Sequence, residues 1–155
     1  MLKVFAAGLA SVFLIAGSAY ANGPLKSTLE AYIVGTDEDG AETLTPTEEI
    51  TPGETIEYVL TYENLSENDL NGLVISAPIP ASTTFVVDSQ TEGTESVFEV
   101  SADDGATWGE VPLMRSSDDG EVEVPISEYD VVRWVPSGAI EAGESWRFEY
   151  RTSVD

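Results

Sequence analysis

The chain has no cysteine and no histidine, and only 6 of its 155 residues are lysine or arginine. Each absence removes a class of chemistry. Without cysteine there is no disulfide and no thiolate nucleophile, so stability rests on packing and strand pairing. Without cysteine or histidine, zinc sites built on sulfur or imidazole are excluded. The missing histidine also excludes a Ser-His-Asp triad, and the sequence contains neither a G-x-S-x-G elbow nor a G-x-x-x-x-G-K-[ST] phosphate loop. Beyond the N-terminus no apolar run approaches the ~20 residues of a membrane-spanning helix. No segment there carries the 3.6-residue apolar period of an amphipathic helix either. A glycosidase needs two carboxyls facing across a cleft. With 29 aspartates and glutamates some pair meets any spacing by chance, so the acids specify no hydrolase. The expectation is that the chain is not an enzyme.

What is present is acid. The formal net charge is −23. Such a surface repels nucleic acid and anionic lipid, so neither is expected as a partner. It favours solubility and draws cations. Two readings follow: a solvated acidic surface suited to a salty setting, which is preferred, or a protein that binds divalent cations. The hydrophobic fraction is 42%, with three tryptophans, so a folded core is expected rather than disorder.

The N-terminus has its own pattern. Lys3 is followed by an uncharged apolar stretch, Val4 to Ala16, and then by Ala19-Tyr20-Ala21, with small residues where a signal peptidase reads. This predicts a secretory signal peptide over residues 1–21, cleaved before Asn22. The apolar stretch is too short to span a bilayer. The mature chain would be secreted or periplasmic, with no membrane insertion after cleavage. It would keep 134 of the 155 residues and, having lost Lys3, five cations against 29 acids. That length fits one domain with a real core.

Residues 22–28 read as a flexible lead and 29–155 as a single domain. Leu29 to Val34 has strand composition, Thr36 to Gly40 reads as a turn, and Leu44 to Ile50 as a polar connection. After Pro52-Gly53, Ile56, Tyr58, Leu60 and Tyr62 alternate with Glu57, Val59, Thr61 and Glu63, the period of a half-buried strand. Asn64 to Asn71 is a polar loop. A strand restarts at Leu73 to Ile75, and Pro78 and Pro80 end its pairing. Further strands are expected over Thr83–Val87, Ser96–Ser101, Trp108–Leu113, Tyr129–Val135 and Ser145–Val154. A polar loop is expected at Ser116–Gly120 and an edge strand at Glu121–Val124. In the last strand Trp146, Phe148 and Tyr150 share one face, and Arg147, Glu149 and Arg151 the other. About eight to ten short strands joined by Gly, Pro and Asp turns predict an all-β antiparallel sandwich. Ile50-Thr51-Pro52-Gly53-Glu54-Thr55-Ile56 is echoed by Ile140-Glu141-Ala142-Gly143-Glu144-Ser145-Trp146, which suggests two long strands entered in the same way.

Three local motifs bear on function. Ser101-Ala102-Asp103-Asp104-Gly105-Ala106-Thr107-Trp108 fits the Asp-box pattern S-x-D-x-G-x-T-W, in which the aspartate accepts turn amides and glycine takes a positive φ. It reads as a hairpin fastener. Asp37, Glu38 and Asp39 precede Gly40, Asp103 and Asp104 precede Gly105, and Asp118 and Asp119 precede Gly120. Asp before Gly is ordinary turn chemistry. Asp37, Asp39, Asp103, Asp104, Asp118 and Asp119 are also the candidate calcium ligands, because calcium takes six to eight oxygens from such loops. None has EF-hand spacing, so a site requires two loops to meet at one pole. Arg133, Arg147 and Arg151 are expected to neutralise carboxylates or stack on aromatics, with Arg133 on a strand able to pair with theirs. A small basic patch for an acidic partner segment is the alternative.

Thr51 to Phe85, TPGETIEYVLTYENLSENDLNGLVISAPIPASTTF, resembles the conserved repeat domain of bacterial and archaeal surface proteins, the domain-of-unknown-function family numbered eleven. Pro52, Gly53, Thr55, Tyr58, Asn64, Val74, Pro78, Pro80 and Phe85 fit its pattern. VVRWVPSGAIEAGESWRFEYRTSV, near the C-terminus, resembles the end of such domains. The resemblance implies an immunoglobulin-like sandwich on a cell surface, usually in tandem. This chain departs from it by carrying one copy, by Ser76-Ala77 where relatives commonly have an Asp, and by having no sorting segment. The functional expectation is an exported, non-enzymatic module acting through a protein or cell-surface partner, a second copy of the chain included. The alternatives are a calcium- or carbohydrate-binding module and a self-assembling fibre subunit with Asn22 to Thr28 as donor arm.

Overall fold

The computed structural model describes residues 23–155 apart from Glu48. The expected signal peptide and its cleavage site lie outside the described residues. The described residues form ten strands: β1 (Leu25–Thr36), β2 (Glu42–Pro46), β3 (Thr55–Asn64), β4 (Ile75–Pro78), β5 (Thr83–Phe85), β6 (Ser96–Ser101), β7 (Met114–Ser117), β8 (Gly120–Glu123), β9 (Val131–Pro136) and β10 (Ser145–Val154). A short 3-10 turn covers Ile126–Glu128. The large sheet has the order β2-β1-β3-β10-β5, the small sheet β4-β9-β6, and β7-β8 is a separate hairpin. All pairings are antiparallel. The architecture is the all-β sandwich the sequence predicts.

One core joins the two sheets. Ile56, Tyr58 and Leu60 of β3 and Trp146, Phe148 and Tyr150 of β10 face Ile75 and Ala77 of β4, Val100 of β6, and Val132 and Trp134 of β9. Trp134 lies with its ring centroid 5.3 Å from Phe148 and 6.1 Å from Tyr150, and Tyr150 stacks on Tyr58 at 4.8 Å. These aromatics are among the largest fully buried side chains, so they dominate the apolar area withdrawn from water. The Tyr150 hydroxyl also donates to the Pro78 carbonyl at 2.6 Å, a direct hydrogen bond from the large sheet to the small one.

The echo in the sequence is an echo in space. Gly53 and Gly143 both have positive φ, 90° and 76°. Glu54 accepts from the Thr51 amide at 2.6 Å, and Glu144 accepts from the Glu141 amide at 2.7 Å, so each glutamate closes its own turn. The turn entering β3 is tied to the end of β10 (Gly53 N–H to Val154 C=O, 2.9 Å). The turn entering β10 is tied to the end of β3 (Gly143 N–H to Asn64 C=O, 3.0 Å). The central strand pair is thus related to itself by a local two-fold, each strand clamping the start of the other.

Six expectations are corrected. Leu44 to Pro46 belongs to strand β2 rather than to a connection. The strand placed at Leu73–Ile75 runs over Ile75–Pro78, with Pro78 paired to Val131 instead of ending the pairing. Leu25 to Thr28 is not a lead: it is the first part of β1, paired with β3 from Leu25↔Asn64 to Thr28↔Thr61. Leu25 and Leu29 pack on the core, which anchors the segment, so it is engaged within its own chain rather than held out as a donor arm. Trp108–Leu113 is not a strand. Gly109 makes a single bridge to Val100, Leu113 C=O accepts from the Val124 amide at 2.8 Å, and Pro112 between them lacks the amide that continuous pairing needs. Ser116–Gly120 is not a loop: β7 and β8 run through it, leaving Asp118 and Asp119 as the hairpin turn. Arg133 lies on β9 in the small sheet and does not pair with the strand of Arg147 and Arg151.

A strand-edge groove as the candidate binding site

Asp37 Oδ1 accepts from the amides of Asp39 and Ala41 at 2.9 and 2.8 Å, which closes the β1–β2 turn. Asp103 is more fully engaged. It accepts from the Thr107 hydroxyl at 2.6 Å, the Thr107 amide at 2.8 Å and the Ser101 hydroxyl at 2.9 Å. The Thr107 hydroxyl, then its amide and Ser101, hold the Asp103 carboxyl below the usual range. Gly105 has φ 81°, and a Cβ there would lie 3.0 Å from the Trp108 ring, so the box requires glycine on two counts. Asp104 turns outward with φ 57°, its amide donating to Asp130 at 2.7 Å. Asp118 and Asp119 occupy the exposed β7–β8 turn. The three acidic pairs sit on three different connections. Among the described residues no group of three or more acids stands close enough together to hold a metal ion.

The arginines are consumed in ion pairs. Arg133 contacts Glu99 at 2.7 Å and lies 4.2 Å from the Trp108 ring centroid, which fixes the Asp-box onto the small sheet. Arg147 pairs with Glu149 at 2.6 Å. Arg151 donates from Nε to Glu57 at 2.8 Å and from Nη1 to Glu42 at 2.9 Å. Glu57 is 5% exposed and lies on the outer face of β3, so this carboxylate is sealed in by its partner. The pairing draws Glu42 below its ordinary value, chiefly through the Arg151 hydrogen bond, and pushes Arg151 upward. Glu42 reaches β10 across the two strands between them, so the edge strand β2 is pinned to the centre of the sheet.

That pinning leaves a gap. β2 pairs with β1 only from Tyr32↔Pro46 to Thr36↔Glu42, and the Thr47 amide makes the last bond, to Ala31 C=O at 3.3 Å. Before Ala31, β1 has β3 on one side and, among the described residues, no strand on the other. The bond from Leu65 N–H to Pro24 C=O, 2.7 Å, and that from Thr47 to Ala31 fix the alternation. Even-numbered residues of β1 bond to β3, and odd-numbered residues turn their N–H and C=O outward. Ser27 and Leu29 therefore present backbone groups that have no partner among the described residues. Across from them lies β4, itself an edge strand. The Ile79 amide bonds to Asp130 at 2.7 Å, so by the same alternation Ser76 turns its backbone outward, while Pro78 has no N–H and gives its carbonyl to Tyr150.

Between the two free edges runs an open groove of about 170 Å³, lined by Ser27 and Leu29 of β1, Leu60 and Tyr62 of β3, and Ala77 and Pro78 of β4. Its floor is mainly apolar, with hydroxyls of Ser27, Thr28 and Ser76 at its sides, and it is smaller than the ~300–1,000 Å³ of a typical small-molecule site. Its rim carries Lys26, offset by Glu63 at 3.6 Å, and Glu30, which is exposed and has no ion pair among the described residues. Burial pushes the Tyr62 phenol up, as it does Tyr58. The sequence offered a signal for this site in the alternation Leu25, Ser27, Leu29, Ala31, which marks one buried face. The free amides follow from where β2 stops. No family model matches the chain, and neither a curated protein nor a solved structure matches it.

Proposed function

We propose that this is an exported, non-enzymatic β-sandwich that works by binding a protein partner outside the cytoplasm, as a secreted or periplasmic protein. The observation that carries the reading is the pair of facing free edges, β1 before Ala31 and β4, over an apolar floor. Edges of this kind are usually blunted, because they template pairing with other chains. Here β4 is partly blunted by Pro78, whereas β1 keeps its backbone groups. Export is supported by the Lys3, Val4–Ala16 and Ala19-Tyr20-Ala21 pattern. The resemblance of Thr51–Phe85 to a surface-protein repeat supports an extracellular setting and an immunoglobulin-like classification. The charge of −23 supports a proteinaceous partner over nucleic acid or anionic lipid.

The test is made in the source cells, in two parts. The chain is recovered from the cell exterior or periplasm and its N-terminus sequenced, with Asn22 as the expected first residue. Whole cells are then treated with a photo-activated cross-linker placed at surface positions on every face, and adducts are identified by mass spectrometry. A discrete protein adduct supports the reading. A chain retained in the cytoplasm with Met1 intact, or a cross-linking pattern without any protein adduct, contradicts it.

A further inference from the structure

We infer that the groove between β1 and β4 accepts an extended, basic segment of a partner protein as an additional strand along β1, a conclusion that rests on the binding role proposed above. The geometry fits a strand better than any other occupant. The lane beside Leu25–Glu30 continues the one β2 occupies beside Tyr32–Thr36, so an added strand lies in the plane of the large sheet. Ser27 and Leu29 offer it two amides and two carbonyls at the two-residue spacing of an antiparallel or parallel ladder. Every second side chain of the guest then points inward onto Leu29, Leu60, Tyr62 and Ala77, and the others point outward. Main-chain bonds supply the affinity and alternate pockets the selectivity, the mode known as β-augmentation.

Charge selects the guest. Outward-pointing guest residues stand beside Lys26, Thr28 and Glu30 of β1; Lys26 is offset by Glu63 of β3, so Glu30 and the −23 of the whole chain set the sign of the field. Lysine or arginine at those positions is drawn in, and aspartate or glutamate is repelled. The same field opposes a second copy of this chain as the guest, since each copy brings −23 of its own. Inward-pointing positions favour valine, isoleucine or leucine, matching the apolar floor.

The experiment uses the full mature chain and synthetic peptides of about six residues, the usual length of a strand. One alternates lysine with valine, a second alternates glutamate with valine, and a third is the lysine peptide with a central proline. Binding is followed by calorimetry, and the amides are followed by NMR hydrogen exchange. The lysine peptide is expected to bind with an affinity that falls with salt, and to slow exchange at Ser27 and Leu29. The glutamate and proline peptides are expected not to bind. The Ser27→Pro variant removes an amide that β3 does not use, so the β1–β3 ladder stays whole. It should retain the melting temperature of the parent and bind the lysine peptide about tenfold more weakly, the effect of one lost hydrogen bond. Exchange at Ser27 and Leu29 in the unmodified chain gives the same answer should Ser27→Pro fail to fold. The inference is overturned by equal binding of the two charged peptides, by no binding of the lysine peptide, by peptide binding without protection at Ser27 and Leu29, or by concentration-dependent dimerisation that protects those same amides. A partner cross-linked in cells at another face leaves the proposed function standing while this inference falls.

Discussion

Arg151 Nε sits 2.8 Å from Glu57 Oε2, and the guanidinium that seals this nearly buried carboxylate also holds Glu42 of the edge strand. One side chain thus decides both the burial of a charge and the position of β2. Replacing Arg151 by leucine strands Glu57 without a counter-charge. Breaking a fully buried pair costs ~3–5 kcal/mol, and the Arg151 side chain is 26% exposed, so the expected loss is about 2–3 kcal/mol by urea unfolding. The double variant Arg151→Leu, Glu57→Leu should recover most of it, because no charge is left unpaired.

Acid should weaken the protein through two identified carboxyls. Glu42 and Asp103 are both held below their ordinary values, by Arg151 and by Thr107 respectively. The unfolded chain therefore takes up protons first as pH falls, and the contribution of these groups is full above their unfolded values and disappears as pH drops through their folded ones. Stability should be flat near neutrality and decline below about pH 4, where unfolded carboxyls titrate. Asp103→Asn should flatten part of that decline in melting curves recorded across pH.

At the alkaline end the sign reverses. Burial pushes Tyr58, Tyr62 and Tyr150 upward, and Tyr150 is pushed furthest, with the neighbouring Tyr58 adding to the effect. A phenol kept neutral in the fold loses its stabilising contribution once the unfolded phenol ionises, above about pH 10. Ultraviolet titration should show these phenolates emerging together with unfolding, and after the exposed tyrosines.

Asn64 should be among the costliest polar positions. Its fully buried amide donates to the carbonyls of Asn68, Ile140 and Glu141 at 2.8, 3.1 and 3.1 Å, and its oxygen accepts from Ser66. It ties the loop after β3 to the turn before β10. Asn64→Ala removes all of these bonds at once, while the three carbonyls keep the Ser66 hydroxyl and the Leu70 and Glu144 amides as donors, and the expected loss is about 1–3 kcal/mol in chemical denaturation.

Gly93 lies against the outer lane of β10, where a Cβ would stand 2.5 and 2.6 Å from the backbone oxygen and nitrogen of Arg147. Neither atom belongs to a flexible side chain, so Gly93→Ala must displace the segment after β5. A loss of about 1–3 kcal/mol is expected, as for other overpacked sites. Gly138→Ala, with open space at its Cβ, is the control and should change the melting temperature little.

The long strands were legible because their surroundings are one-sided. Ser96–Ser101 and Ser145–Val154 occur with the bounds the alternation predicts, and Trp146, Phe148 and Tyr150 all face inward. The repeated Gly-Glu turn was legible too, since the glutamate closes each turn locally. The start of β1 was not. Lys26, Ser27 and Thr28 are polar, and their strand character comes from pairing with β3, a tertiary term absent from local pattern. β7 and β8 are exposed along their whole length, so no burial imprints a period on them. The candidate groove was legible least of all. It depends on which residues of β1 turn their amides outward and on β2 ending at Pro46, and both are matters of register between distant segments.

The free edge of β1 is the centre of this account, and amide hydrogen exchange in the protein without ligand reads it residue by residue. The account predicts alternation: slow exchange at Lys26, Thr28 and Glu30, whose amides bond to β3, and fast exchange at Ser27 and Leu29, which face the groove. Uniform protection from Lys26 to Glu30 would contradict it, because the edge would then already be paired.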